Sequence, residues 1–280
     1  MKLFSIETGT FKLDGGAMFG VVPKVIWNTL YPSDENNLCT WAMRCLLVEE
    51  GDRKILIDCG IGDKQDEKFT RNYHLENTVH IVDALANKGF DADSITDVVL
   101  THLHFDHCGG AIRRNSDGAN FLPAFKNACY WVSRQQWEWA VNPNKRESAS
   151  FLKENFIPIQ ESGQMKLIES ETDIYPFCTL KLFFGHTSGQ IIPHIRFGDK
   201  TVVFMGDLIP SSAHIPLPYI MSYDTNPLIS LKEKEAFLNE AAVRKYILFF
   251  EHDRKVECCS VYQAEKGVRA EKTFRPEEVF

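Results

Sequence analysis

Five short apolar runs in this chain each lead into a residue that can hold a metal ion or a proton, and this constrains the fold more than any other feature. Ile55-Leu56-Ile57 runs into Asp58, and Val98-Val99-Leu100 into Thr101, His102 and His104. Leu182-Phe183-Phe184-Gly185 leads to His186, Val203-Phe204-Met205-Gly206 to Asp207, and Ile247–Phe250 to Glu251 and His252. Runs this short, rich in β-branched and aromatic residues, read as strands buried on both faces. If their C-terminal ends share one edge, the polar residues they deliver come together. Rigid strands are also the right supports for a site that must hold its geometry.

Further runs at Cys45–Val48, Tyr130–Val132, Leu180–Phe184, Ile191–Phe197 and Thr201–Met205 extend the strand pattern. Helices are expected between some of them. Val79, Val82, Leu85 and Ala86 fall on one face, with Gly89 placed to end that helix. Trp131–Ala140 and Glu147–Phe156 are weaker helical candidates. Ser230 and Glu233 after Pro227 make a capping-box pattern that would open a helix running to about Tyr246. Neighbouring strands without an intervening helix argue against strict βαβ alternation. The expectation is an α/β chain with two mixed sheets packed together and helices on the outer faces. No repeat or linker interrupts residues 1–280, so one continuous domain is the simplest organisation.

Composition removes several function classes. With 31 basic and 38 acidic residues, the net charge is −7, and no basic block is present, which argues against nucleic acid as a partner. No stretch reaches the roughly 18 apolar residues of a membrane span. The N-terminal MKLFSIETGTFKLDGG has no apolar h-region, so no secretory leader is expected there. The eight cysteines are irregularly spaced without a C-x-x-C pair, and this predicts reduced thiols in the cytoplasm. The vicinal Cys258–Cys259 is expected to sit on a strand.

The chemistry concentrates in Thr101-His102-Leu103-His104-Phe105-Asp106-His107-Cys108-Gly109-Gly110. In an extended segment His102 and His104 project the same way and can share one ion. Asp106 and His107 follow after the chain turns and can hold a second ion, with Gly109-Gly110 permitting a tight turn beneath. Imidazole with carboxylate suits zinc, and also iron or manganese. Without a cation, three imidazoles and a carboxylate buried together would be left with too few partners. His74, His80 and His194 stand alone and are read as surface or core residues, and Cys108 as packing.

His102-x-His104-x-Asp106-His107 resembles the signature of the metallo-β-lactamase-fold hydrolases. The later ligands of that family occur in order: His186 in Gly-His-Thr-Ser-Gly, Asp207 in Met-Gly-Asp-Leu and His252 in Phe-Glu-His-Asp. Asp58 in Leu-Ile-Asp-Cys-Gly matches its early acidic motif. The resemblance implies an αββα sandwich with the site at one edge. It implies His102, His104 and His186 on a first ion, Asp106, His107 and His252 on a second, and Asp207 bridging. The implied cofactor is two divalent ions, zinc first, with iron, manganese or cobalt as alternatives. Leu13–Lys24 and the segment Gly206–Pro210 with Ala213-His214 are similar to the quorum-quenching N-acyl homoserine lactonases. Methyl parathion hydrolase-like phosphotriesterases share the same regions. Some lactonases carry a tyrosine three residues after the bridging aspartate. Pro210 stands there in this chain, and His214, Tyr219 and Tyr223 are the candidates to replace it.

Two divalent ions against Asp106, Asp207 and a bridging hydroxide leave such a site net positive, able to stabilise an oxyanion. Bound water with a pKa of about 7 supplies hydroxide to attack a lactone carbonyl. Asp106 is the expected proton shuttle to the leaving alkoxide, and Asp58 the residue that fixes a ligand imidazole through its other nitrogen. Candidate substrate contacts are Met18, Phe19 and Val22 in an apolar loop, with Phe105, Ile209, His214 and Tyr219. The expected function is opening of N-acyl homoserine lactones, a small-molecule substrate, by a chain that is a homodimer by analogy with related lactonases. The alternatives are another carboxylic-ester or phosphotriester hydrolase with the same site, or a catalytically idle ligand-binding member.

Overall fold

The structure, a computed structural model, describes residues 1–115, 118 and 120–278. The first sheet has six strands in the spatial order β1 (Lys2–Asp14), β2 (Leu38–Glu50), β3 (Arg53–Ile57), β4 (Asp97–Val99), β7 (Cys129–Ser133) and β8 (Met165–Ile168). Strands β5 (Ile112–Arg114) and β6 (Phe121–Pro123) form a separate hairpin. The second sheet has seven strands. Read from one edge, these are β15 (Gly267–Phe274), β14 (Cys258–Ala264), β13 (Ile247–Phe249), β12 (Lys200–Phe204), β11 (Gln190–Phe197), β10 (Cys178–Phe183) and β9 (Thr172–Tyr175). Both sheets are mixed. β3, β4, β7 and β8 pair in parallel while β2 pairs antiparallel to β3. β12 and β13 form the parallel pair of an otherwise antiparallel second sheet. The helices are α1 (Gly15–Phe19), α2 (Lys24–Leu30), α3 (Glu67–Asn72), α4 (Ile81–Asn87), α5 (Phe105–Cys108), α6 (Arg134–Val141), α7 (Ile157–Glu161) and α8 (Pro227–Arg244). This is the α/β metallo-β-lactamase fold, with mixed sheets and helices. Among the described residues no helix is long and apolar enough to cross a membrane.

The chain divides into two compact units, one of residues 1–10 and 43–171, the other of residues 11–42 and 172–280. The core of the first is built on Leu47, Leu56, Val98, Leu100, Tyr130 and Val132, all buried, with Ile81, Ala84 and Leu85 of α4 packed on them. The core of the second gathers Ile192, Val203, Met205, Leu248 and Phe250 with Phe237, Leu238 and Ala241 of α8. Central strands with no exposed face explain why their sequences are continuously apolar rather than alternating.

Several helices differ from expectation. The buried face of α4 is Ile81, Ala84 and Leu85, the i, i+3, i+4 set, while Val79 precedes the helix and is exposed. His80 caps it by accepting from the Val82 amide, and Gly89 follows at φ +85°. Ser133 ends β7 and caps α6, accepting from the Gln136 amide, so the expected helix at Trp131 starts later. α8 begins at Pro227 and has no side-chain cap. Glu233 instead accepts from the amides of Phe184 and Gly185 at 2.8 and 2.9 Å, tying the end of β10 to the helix. Residues 147–156 hold only a short 3₁₀ turn at Lys153–Asn155.

All eight cysteines are free thiols, and Cys258 and Cys259 lie buried on β14. His194 on β11 is buried against Phe237 and Tyr246 and donates Nδ1–H to the Ile192 carbonyl at 3.0 Å. Burial pushes its pKa down to about 4, below the ordinary imidazole value near 6.5. Between those values the unfolded chain binds a proton that the folded chain does not, so stability falls as pH falls through that window. Urea unfolding of the chelated protein at pH 6.5 and 4.5 is expected to show this loss, and a smaller one in His194→Phe. Identical pH dependence in both proteins would show that another group carries it.

Candidate metal centre

The first unit builds its part of the site from the ends of β3 and β4. Asp58 follows β3 with φ +57° and its amide bonded to the Val99 carbonyl at 2.9 Å. Its Oδ1 accepts from the Thr101 amide at 2.7 Å, and its Oδ2 from the Thr101 hydroxyl at 2.6 Å and from His107 Nδ1 at 3.0 Å. The Thr101 hydroxyl has given its proton to Asp58, so it accepts from His102 Nδ1 at 3.1 Å. Asp58 therefore fixes His107 directly and His102 through Thr101. This leaves Nε2 of both rings as lone-pair nitrogens.

His104 uses its nitrogens the other way round. Its Nε2 faces the Glu147 carboxylate at 3.2 Å, which leaves Nδ1 turned to His102 Nε2 at 3.0 Å. Two lone pairs at that separation repel unless a cation lies between them. α5 then carries Asp106 and His107, with Asp106 Oδ2 at 3.6 Å from His107 Nε2. His102, His104, Asp106 and His107 are all buried. The two glycines that follow are required by closeness rather than by a left-handed turn. A Cβ on Gly109 would lie 2.1 Å from the Ile61 carbonyl oxygen, and one on Gly110 2.1 Å from that of Cys59. Lys64, buried beneath them, donates to the carbonyls of Gly109 and Ile112, and burial pushes its pKa down to about 8. Cys108 donates to the Leu103 carbonyl and packs, its thiol pushed up to about 12 by burial.

The second unit holds its own group of imidazoles and carboxylates. His186, after β10, donates Nδ1–H to Asp224 Oδ1 at 2.9 Å. His252, after β13, donates Nδ1–H to the Ala42 carbonyl at 2.8 Å. A carbonyl can only accept, so the His252 tautomer is fixed and its Nε2 carries a lone pair. Asp207, after β12, turns one oxygen to each ring: Oδ2 to His186 Nε2 and Oδ1 to His252 Nε2, both at 3.1 Å. A carboxylate oxygen opposite an imidazole lone pair, twice on one side chain, is the arrangement of a carboxylate shared between two cations. The donor set, five imidazoles with two carboxylates, fits borderline divalent ions such as zinc.

The candidate substrate contacts divide. Met18 and Phe19 lie on α1 and are buried, so they do not form an exposed loop. Phe19 is stacked between Trp27, at 5.1 Å, and His214, at 4.5 Å. His214 donates Nε2–H to the Met18 carbonyl at 3.0 Å and accepts from Ser211 at 2.7 Å, and burial holds its pKa down at about 3. Neutral and saturated with partners, it is a strut and does not replace the tyrosine absent at Pro210. Ile209 is a core residue of the second unit, and Val22 is buried beside α1. Tyr219 is half-buried with its edge on Phe19. Phe105 packs against Phe69 and Tyr73 in the first unit, at 5.1 and 4.8 Å. Sequence reasoning missed Glu147 and Asp224. Asp224 has no local signal. For Glu147 the signal was Asn144 three residues before it, a capping-box spacing in which the two residues bond reciprocally across the turn.

Asp58→Asn tests the Asp58 support without backbone strain, because Asn tolerates positive φ. Asn has one acceptor oxygen where Asp58 serves three donors. Metal affinity measured by chelator competition is expected to fall about 10–100-fold, the usual scale for such supports. Unchanged affinity would reduce Asp58 to a strand-end cap.

Comparison with known proteins agrees with this geometry. Residues 44–113 match the metallo-beta-lactamase superfamily. An N-acyl homoserine lactonase of Bacillus sp is 26% identical over 276 residues, 93% of this chain and 97% of that protein. A probable metal-dependent hydrolase from Staphylococcus aureus superposes with a TM-score of 0.88 at 28% identity, over 98% of both chains. A dizinc quorum-quenching lactonase, solved in complex with a product, has the same fold, with a TM-score of 0.81 at 22% identity over 98% of this chain and 95% of that one. With its fold, its donor set and its full-length likeness to these proteins, the chain is a metal-dependent hydrolase with the metallo-β-lactamase fold, and it resembles the N-acyl homoserine lactonases.

Proposed function

We propose that this protein, working as one domain over residues 1–280, is a dinuclear hydrolase that opens the ester ring of N-acyl homoserine lactones. His102, His104 and His186 would hold one ion and Asp106, His107 and His252 the other, with Asp207, whose oxygens face His186 and His252, available to both. The observation that carries this reading is Asp207, whose two oxygens each face a different imidazole lone pair at 3.1 Å. Two divalent ions, zinc in this reading, supply Lewis acidity and a water acidified to a pKa of about 7. The chain's own residues do the rest. Asp106, the carboxylate beside His107 Nε2, takes a proton and delivers it to the leaving alkoxide oxygen. Asp58, Glu147 and Asp224 each hold an imidazole so that its lone pair stays aimed inward. Phe105, with Phe69 and Tyr73, forms an aromatic wall against which an acyl chain can lie. A chain on that wall gains at most about 0.8 kcal/mol for each buried methylene, so longer acyl groups are the better substrates. A small-molecule substrate and cysteines held as thiols rather than disulfides suit a cytoplasmic quorum-quenching role.

Metal analysis is expected to give two ions per chain, because seven donors exceed what one four- or five-coordinate ion uses. Chelation should abolish acid release from an acyl homoserine lactone, and zinc, manganese or cobalt should restore it. Full activity with a single ion would overturn the dinuclear reading. Rapid phosphotriester turnover without lactone opening would move the assignment to the phosphotriesterase-like alternative.

Asp106→Asn isolates the proton transfer. It retains a ligand oxygen but removes the charge and the proton acceptor. At saturating metal, kcat on the lactone is expected to fall about 10²-fold or more. The loss should be smaller on a nitrophenyl ester, whose leaving group departs without protonation. Equal losses on both substrates, with both ions bound, would make Asp106 a ligand only.

A further inference from the structure

One short segment reaches the His104–Phe105 pair at three points. Glu147 Oε1 lies 3.2 Å from His104 Nε2, the Ser150 carbonyl accepts from the Phe105 amide at 3.0 Å, and the Phe151 ring packs 4.8 Å from the His104 ring. Glu147 is only 4% exposed. Its other oxygen accepts from the Trp139 indole N–H at 2.6 Å and from the Asn144 side-chain amide at 2.8 Å. Its own amide donates to Asn144 Oδ1 at 3.1 Å, and its carbonyl accepts from Ser150 at 2.8 Å. The carboxylate is thus fixed from α6, from the following turn and from its own backbone before it meets the imidazole.

The donors around Glu147 dictate the protonation pattern of His104. An indole N–H can only donate, so Oε2 must accept. Oε1 is left facing Nε2, and an acceptor there calls for Nε2–H. His104 Nδ1 then carries the lone pair, 3.0 Å from that of His102 Nε2. Among the five ligand imidazoles the geometry makes His104 the exception: His102, His107, His186 and His252 turn Nε2 inward, and His104 turns Nδ1. A ring forced to use its inner nitrogen needs its outer one held.

We propose that Glu147 is a positioning residue of the metal centre: it selects Nδ1 of His104 as the ligand atom and couples ion binding to the order of residues 139–151. The proposal rests on the dinuclear reading above. It makes a sharp demand, because Glu147 must accept at both oxygens and glutamine cannot. Whichever way a glutamine is turned, its NH₂ meets either His104 Nε2–H or the Trp139 and Asn144 donors. Glu147→Gln is isosteric, yet it should behave almost like Glu147→Ala.

The test uses the full-length chain, stripped of metal and titrated with Co²⁺ and with Zn²⁺ against a competing chelator. Visible absorption of the Co²⁺ form reports the geometry. In wild type two ions are expected to bind, and binding should slow amide hydrogen exchange across residues 139–151. In Glu147→Gln one of the two ions should bind about 10–100-fold more weakly, with an altered Co²⁺ spectrum and no metal-dependent slowing in 139–151. If that variant fails to fold, Trp139→Phe and Asn144→Ala each loosen the carboxylate while leaving its contact with His104, and a several-fold loss at one ion is expected in each. Wild-type affinities and spectra in Glu147→Gln, or in both weaker variants where it cannot be made, would overturn the proposal. Fewer than two ions on wild type would instead overturn the dinuclear reading, whatever Glu147 does.

Discussion

Everything at the centre depends on how buried imidazoles dispose of one ring nitrogen. A neutral imidazole has one donor and one acceptor nitrogen. In this protein each of the five candidate ligand rings gives its donor to a fixed partner: Thr101, Glu147, Asp58, Asp224 or the Ala42 carbonyl. That choice determines where the lone pairs point. His102 Nε2 and His104 Nδ1 are left 3.0 Å apart, and two further lone pairs meet the oxygens of Asp207. Such a collection is stable in a dry interior only if cations enter it or protons take their place. Hence the ligands cannot be understood without the groups behind them.

Those groups sit where rigid backbone ends. Asp58 closes a strand whose every side chain from Ile55 to Ile57 is fully buried, and it bonds to the backbone of the neighbouring strand end. Asp207 and His252 leave the parallel pair β12 and β13, and the amide of Met205 is bonded to the Phe249 carbonyl. The core that stabilises the strands therefore also sets ligand positions. The glycines after the ligand helix extend the same logic, since Gly109 and Gly110 let the α5 turn rest directly on the carbonyls of Ile61 and Cys59.

The sequence made the central strands legible and the candidate donors conspicuous because both are dictated locally: a buried strand must be apolar throughout, and a metal donor must come from the few side chains such as His, Asp, Glu and Cys that can bind one. The 13-residue β1 was not read, since its apolar residues are diluted by Thr, Glu and Lys along a partly exposed strand. Glu147–Phe156 carries helix-forming residues yet stays irregular, because Glu147 is bonded to His104, 43 positions away. Ser230 and Glu233 imitate a capping box, but Glu233 is drawn to the amides of Phe184 and Gly185. Phe19 and His214 looked like pocket residues from their nearness in sequence to lactonase-like motifs. They are core because α1 folds its ring face onto Trp27 and His214. In the last three cases a long-range partner outweighed the local preference.

Pro210 is the instructive departure from the lactonase pattern. It cannot supply a phenol, and its carbonyl accepts from the His252 amide at 3.2 Å. The position has become a backbone strut for a metal ligand. His214 is equally committed, with one ring nitrogen on Met18 and the other on Ser211. Neither Pro210 nor His214 can therefore make the side-chain hydrogen bond that a tyrosine at position 210 would make. The aromatic group of Phe69, Tyr73 and Phe105 is differently placed, because Phe105 stands between His104 and Asp106 in the ligand segment itself. Such a wall discriminates by shape and apolar area, and area separates neighbouring chain lengths by at most about 0.8 kcal/mol per methylene. On the proposed lactonase reading, a site built in this way is strict about the reaction, which its donors fix, and graded about the acyl group, which such a wall reads by area.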